Sequence, residues 1–133
     1  MANIYRTTKS ITYMLKYHVV FCPRYRRKIF LVENVEERFK ELAQEVCDKL
    51  EVEIISIDCN VDHVHLIVEC SPKITPADIV YNLKAYTGPR LISEIKEFHM
   101  MQNLWTRKYL ISTEDILAQE TIDSFVNAQK KRY

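Results

Sequence analysis

Residues 59–70 read CNVDHVHLIVEC, and the alternation in this stretch permits few arrangements. In an extended strand, side chains at i and i+2 point to the same side, about 6.5–7 Å apart. Val64, Leu66 and Val68 therefore share one face and His63 and His65 the other. A strand with one apolar and one polar face covers a core on one side only, the habit of an antiparallel sheet with helices on one face. We expect a strand over Asp62–Glu69, paired as an antiparallel hairpin with a β-branched strand over Val52–Asp58 through Asn60 and Val61.

The rest of the chain extends this layout. Thr12–Cys22 is rich in aromatic and β-branched residues and reads as a strand ended by Pro23, with a basic loop or short hairpin after it. Asn34–Lys49 places Val35, Phe39, Leu42, Ala43 and Val46 on one helical stripe. Thr75–Phe98 opens with an N-cap (Thr75), a proline at the first helical position and Asp78 near the positive helix end. Gly88-Pro89 predicts a kink or a break into two helices. Tyr109–Ser112 is a short strand, and a final helix follows within STEDILAQETIDSFVNAQKK. The order β-α-β-β-α-β-α predicts an α+β fold, the ferredoxin-like split βαβ arrangement with an extra C-terminal helix. At 133 residues the chain is one domain, 1–133.

Composition narrows function only weakly. The net charge of +1 gives no global attraction to nucleic acid. Locally, Pro23–Lys28 carries four cations in six residues, the pattern that pairs with phosphates. The four cysteines, Cys22, Cys47, Cys59 and Cys70, show no C-x-x-C spacing, and three fall in apolar runs, where reduced cysteine behaves as a small hydrophobe. No apolar run is long enough to span a bilayer and no basic-then-apolar leader opens the sequence, so we expect no membrane partner and a cytoplasmic location.

Two neutral imidazoles on one strand face can grip a divalent metal, and Asp62 is placed to orient one of them. An H-x-H alone is also compatible with two ordinary strand histidines, and two ligands do not complete a site.

The wider pattern is more specific. LKYHVVFCPRYRRKIF (15–30), NVDHVHLIVE (60–69), LKAYTGPRLI (83–92), LWTRKYLISTED (104–115) and IDSFVNAQ (122–129) together resemble the single-tyrosine transposases of the IS200/IS605 insertion-sequence family, prokaryotic proteins with a His-hydrophobe-His (HUH) motif, here on a central strand. The resemblance implies an enzyme that binds single-stranded DNA hairpins at element ends. It would cut and rejoin the strand through a 5′-phosphotyrosine, assisted by a divalent ion (Mg or Mn). It further implies His63, His65 and Gln129 as metal ligands, and a homodimer in which the last helix of one subunit serves the histidines of the other. Candidate DNA contacts are Arg24, Tyr25, Arg26, Arg27 and Lys28, with Lys84, Arg90, Arg107 and Lys108.

One position departs from the pattern. Phe125 stands where the family carries its nucleophilic tyrosine, four residues before Gln129 and on the same helical face. An inactivated enzyme, a natural binder without chemistry, and replacement by another tyrosine (Tyr81, Tyr86 or Tyr133) all remain open. The expectation is a chain inactive in strand transfer. The alternatives in function are a single-stranded nucleic-acid binding domain and a metal-dependent hydrolase using activated water, for which Phe125 is irrelevant.

Overall fold

A computed structural model of the chain describes residues 4–129. A small ribbon pairs β1 (Arg6–Thr7) with β2 (Thr12–Tyr13). The main sheet comprises β3 (Leu15–Phe21), β4 (Glu53–Cys59), β5 (Val64–Cys70) and β6 (Leu110–Ser112), in the order β4-β5-β3-β6 with every neighbouring pair antiparallel. The helices α1 (Val35–Leu50) and α2 (Pro76–Glu94) provide the crossovers, and α3 (Gln119–Asn127) follows the sheet. This is the expected ferredoxin-like order.

The core lies between the sheet and α1 and α2. Val19 and Phe21 of β3 meet Val64, Leu66 and Val68 of β5 and the helical residues Phe39, Leu42, Ile79 and Leu83 there, all fully buried. All five apolar residues of the α1 stripe are buried. Phe21, Phe39 and Trp105 form edge-to-face pairs with centroids 4.8–6.4 Å apart, the geometry that aromatic quadrupoles favour.

Several boundaries differ from those predicted. The strand expected over Thr12–Cys22 divides, since Thr12 and Tyr13 pair with the N-terminal ribbon instead of the sheet. The poor alternation of Val52–Asp58 has a cause: the register slips between Ile54 and Ser56, a bulge that turns Ile55 outward. The break expected at Gly88-Pro89 does not occur, and α2 runs through Pro89 to Glu94. Leu83, Thr87 and Leu91 bury one continuous face across that point, and packing outweighs the hydrogen bond that proline cannot donate. A Cβ on Gly88 would lie 3.3 Å from Trp105 Cδ1, so glycine lets the helix approach the indole. Beyond Ile95 a 3₁₀ turn, Lys96–Phe98, replaces the helix predicted to reach Phe98.

The last helix lies on the sheet's outer face. Leu117, Ile122 and Val126 pack with Val20 of β3 and with Cys22 just beyond it, and Phe125 and Leu110 flank them. Its apolar stripe thus covers the open face of its own sheet. No helix among the described residues is long and apolar enough to cross a membrane.

Candidate functional site

His65 projects from β5 onto the outer sheet face, the side opposite Leu66 and the core. His63 stands one residue before the strand, which starts at Val64 and not at Asp62 as predicted. The turn is closed locally: Asn60 N donates to His63 O at 2.8 Å. Asp62 Oδ1 accepts from His63 Nδ1 at 3.1 Å, as expected of an orienting carboxylate, and Asp62 Oδ2 accepts from Arg26 Nε at 3.1 Å. Burial pushes the Asp62 carboxyl upward, but the bonds from His63 and Arg26 together outweigh it and hold its pKa below the ordinary value.

Both histidines line a cavity of about 320 Å³ with Asp58, Cys59 and Asn60, reached by Glu36 and Lys40 of α1 and by Gln119 and Ile122 of α3. A third imidazole, that of His18, adjoins it. His18 Nδ1 lies 2.9 Å from His65 Nε2, and His18 Nε2 lies 3.2 Å from Asp115 O. Burial, and then the neighbouring His18, lowers the His65 pKa and favours a neutral ring. Sequence reasoning passed over both His18 and Gln119. The signal for His18 was present: by strand period it shares a face with Val20 and Cys22, a polar residue on an otherwise apolar stripe.

Phe125 is partly buried in the outer-face cluster, and Gln129 Nε2 donates to Phe125 O at 3.2 Å. Neither lines the histidine cavity. Among the described residues no group of three or more His, Cys, Asp and Glu is placed to hold a metal ion. The donor set nevertheless fits part of a divalent site. Two imidazoles open on one cavity that also has carboxylate and amide walls, leaving positions for water or a phosphate oxygen.

The basic segment forms a 3₁₀ turn over Arg24–Arg26, with Tyr25 and Arg26 at φ 59° and 51°. Bonds from Arg24 N to Leu104 O (2.8 Å) and from Thr106 N to Cys22 O (3.0 Å) fasten it to the 104–106 segment. Arg24 and Arg27 flank the Tyr25 ring at 5.6 and 5.9 Å, an exposed aromatic between two cations. Arg26 instead turns inward to Asp62, so the histidine turn already occupies this cation.

Lys84 is likewise engaged, donating to Thr106 O at 2.7 Å and Lys108 O at 3.0 Å, and burial pushes its ammonium pKa down to about 8. It borders a larger, mostly apolar cavity of about 720 Å³ between α2 and the 102–109 segment, with Tyr81, Trp105, Arg107 and Tyr109 in its walls. Arg90 stacks on Tyr86 at 3.7 Å. Tyr81 belongs to that cavity, and Tyr86 donates through its hydroxyl to Glu45 at 2.7 Å. Neither lines the histidine cavity; Tyr133 lies outside the described residues.

Comparisons with known proteins bear on the family and the fold. The model of the family "Transposase IS200 like" matches residues 11–129. The ISDra2 transposase TnpA of Deinococcus radiodurans is 27% identical over 124 residues, covering 91% of this chain and 88% of the relative. The transposase for insertion sequence element IS200 of Salmonella typhimurium is 29% identical over 101 residues, 74% of this chain and 66% of the relative. Among solved structures, a Deinococcus radiodurans R1 protein assigned as a transposase superposes with a TM-score of 0.86 at 23% identity, covering 96% of this chain and 99% of that one. A REP-associated tyrosine transposase bound to a REP hairpin superposes with a TM-score of 0.56 at 13% identity, covering 91% and 69%. A family match across nearly the whole chain, on a fold these structures share, means that the chain belongs to the IS200-like transposases.

Proposed function

We propose that this chain binds single-stranded DNA hairpins as a transposase of the IS200/IS605 type and lacks strand-transfer chemistry because position 125 carries no hydroxyl. The observation that carries the reading is a cavity shared by His63 and His65 beneath a helix whose residue 125 is phenylalanine. His63 and His65 would hold a divalent ion, with Gln129 as a further ligand after its amide leaves Phe125 O. When bound, such an ion supplies Lewis-acid polarisation of the scissile phosphate. Asp62 orients His63, and the bonds from His63 and Arg26 together hold its carboxyl below the ordinary pKa.

Strand cleavage needs an oxygen to form a bond to phosphorus while the bond to the 3′ oxygen breaks, leaving a 3′-hydroxyl and a 5′-phosphotyrosine. Phe125 has no such oxygen. Half-buried Arg24 and Arg27 and exposed Tyr25 offer charge and an aromatic face to unpaired bases and phosphates, with Lys28, Arg90, Arg107 and Lys108 as further cations. Support for a hairpin ligand comes from the REP-associated neighbour, whose structure holds one. Because Phe125 lies outside the histidine cavity of its own chain, the site is completed in a homodimer, with α3 of one subunit serving the histidines of the other.

The decisive experiment is Phe125→Tyr. The variant, incubated with end-labelled single-stranded hairpin DNA and Mn²⁺, yields a slow-migrating covalent adduct on a denaturing gel. The unaltered chain yields none, and neither does the variant with His63→Ala or His65→Ala. An adduct with the unaltered chain would identify another nucleophile, and free 5′-phosphate product would identify a hydrolase. Hairpin binding by the unaltered chain is retained, and sedimentation gives twice the chain mass.

A further inference from the structure

His18 is 2% exposed, and both of its ring nitrogens face a named partner. That arrangement fixes protons. A backbone carbonyl only accepts, so the contact with Asp115 O requires the hydrogen on His18 Nε2. A neutral imidazole that donates through Nε2 presents a lone pair at Nδ1. With a neutral His18, His65 Nε2, 2.9 Å from that lone pair, carries a hydrogen and donates it. The remaining lone pair of His65 is on Nδ1. The same reasoning at His63 gives the other tautomer: the Asp62 carboxylate accepts from Nδ1–H and leaves Nε2 open.

We propose that His18 is a positioning residue that holds His65 in the Nε2–H tautomer, so that His65 offers Nδ1 and His63 offers Nε2 as the two lone pairs of the site. The chain Asp115 O, His18, His65 spans β3, β5 and the segment leading to α3, so the ring orientation of His65 is set by the fold and not by the H-x-H motif. The two rings have centroids 5.2 Å apart and planes at 33°. The use of the freed nitrogen as a metal ligand rests on the proposed function; the tautomer does not.

Long-range ¹H–¹⁵N correlation spectra of the metal-free chain test the tautomer directly, at about pH 8, above the ordinary imidazole range. His65 and His18 are expected as Nε2–H tautomers and His63 as Nδ1–H. His65 found as Nδ1–H, or His18 found protonated on both nitrogens, overturns the proposal without any variant. His18→Leu should return His65 to a mixture of tautomers. It should also weaken Mn²⁺ binding by about 10–100-fold, the usual effect of losing a ligand's hydrogen-bond partner. His18→Asn, whose Oδ1 can accept from His65 Nε2–H, should restore most of that affinity. Unchanged spectra and affinity in His18→Leu overturn the role of His18. If the unaltered chain binds no Mn²⁺ while the tautomers are as stated, the metal reading fails and the positioning role of His18 stands.

Discussion

Ile122→Ala tests how firmly α3 is held. Ile122 and Val126 are each 4% exposed and Leu117 is 8% exposed, and these three carry the docking of the helix. Burying three such side chains contributes roughly 5–9 kcal/mol. Fixing the nine backbone residues of α3 costs about 9–18 kcal/mol, of which the intrahelical hydrogen bonds return about 1 kcal/mol each. The two sides balance to within a few kcal/mol, and a helix this short has no stability of its own. Removing the Ile122 side chain beyond Cβ costs about 2–5 kcal/mol, as much as the docking free energy itself. The expected result is local release of α3, with β3 and β5 left intact above the main core. Hydrogen exchange read by mass spectrometry should show peptides spanning 117–129 losing protection while peptides from β3 and β5 keep theirs, and the thermal midpoint should move little. If the midpoint falls as for a core truncation such as Leu66→Ala and α3 stays protected until the sheet opens, α3 is part of the cooperative core and the reasoning is refuted. A releasable α3 is also what a site shared between two subunits requires.

Thr87→Val leaves the buried Trp105 Nε1 donor, now 2.9 Å from Thr87 Oγ1, without an acceptor; denaturant unfolding should show a loss of about 1–3 kcal/mol, and Thr87→Ser, which keeps the oxygen, should lose less. Asp62→Asn removes a charge-assisted partner from both Arg26 and His63 and should cost about 1.5–3 kcal/mol at neutral pH. Since the folded Asp62 pKa is depressed, its contribution is present above the ordinary carboxylate pKa and lost as pH falls through the folded value, so unaltered chain and variant should converge in stability under acid unfolding. Lys84 changes stability with pH in the same direction for a different reason: burial lowers its pKa from 10.5 to about 8, so the unfolded chain binds more protons between these values. Thermal melts across that interval should therefore favour the unaltered chain over Lys84→Met progressively as pH rises; a constant difference would place the Lys84 ammonium in solvent.

Much of this was legible in the sequence because it is local. The five-residue stripe of α1, the Thr75 cap whose Oγ1 accepts from Asp78 N at 3.1 Å, and the alternation of Val64, Leu66 and Val68 follow from helical and strand periods, which the backbone imposes without reference to the rest of the fold. The H-x-H pair was visible for the same reason, whereas the phenylalanine four residues before Gln129 stood out only through the resemblance to the IS200/IS605 family. What tertiary structure decided is what distant segments do to one another. Pro89 stays helical because Leu83, Thr87 and Leu91 are buried in one row. Arg26, one of a run of cations, becomes the partner of Asp62 across 36 residues, and Lys84 is enclosed by carbonyls from the 106–108 segment. His18 meets His65 across 47 residues, because β3 and β5 are neighbours in the sheet, and Asp115 across 97. A sequence supplies the imidazoles; which nitrogen of each remains open depends on partners that only the folded sheet brings within hydrogen-bond distance.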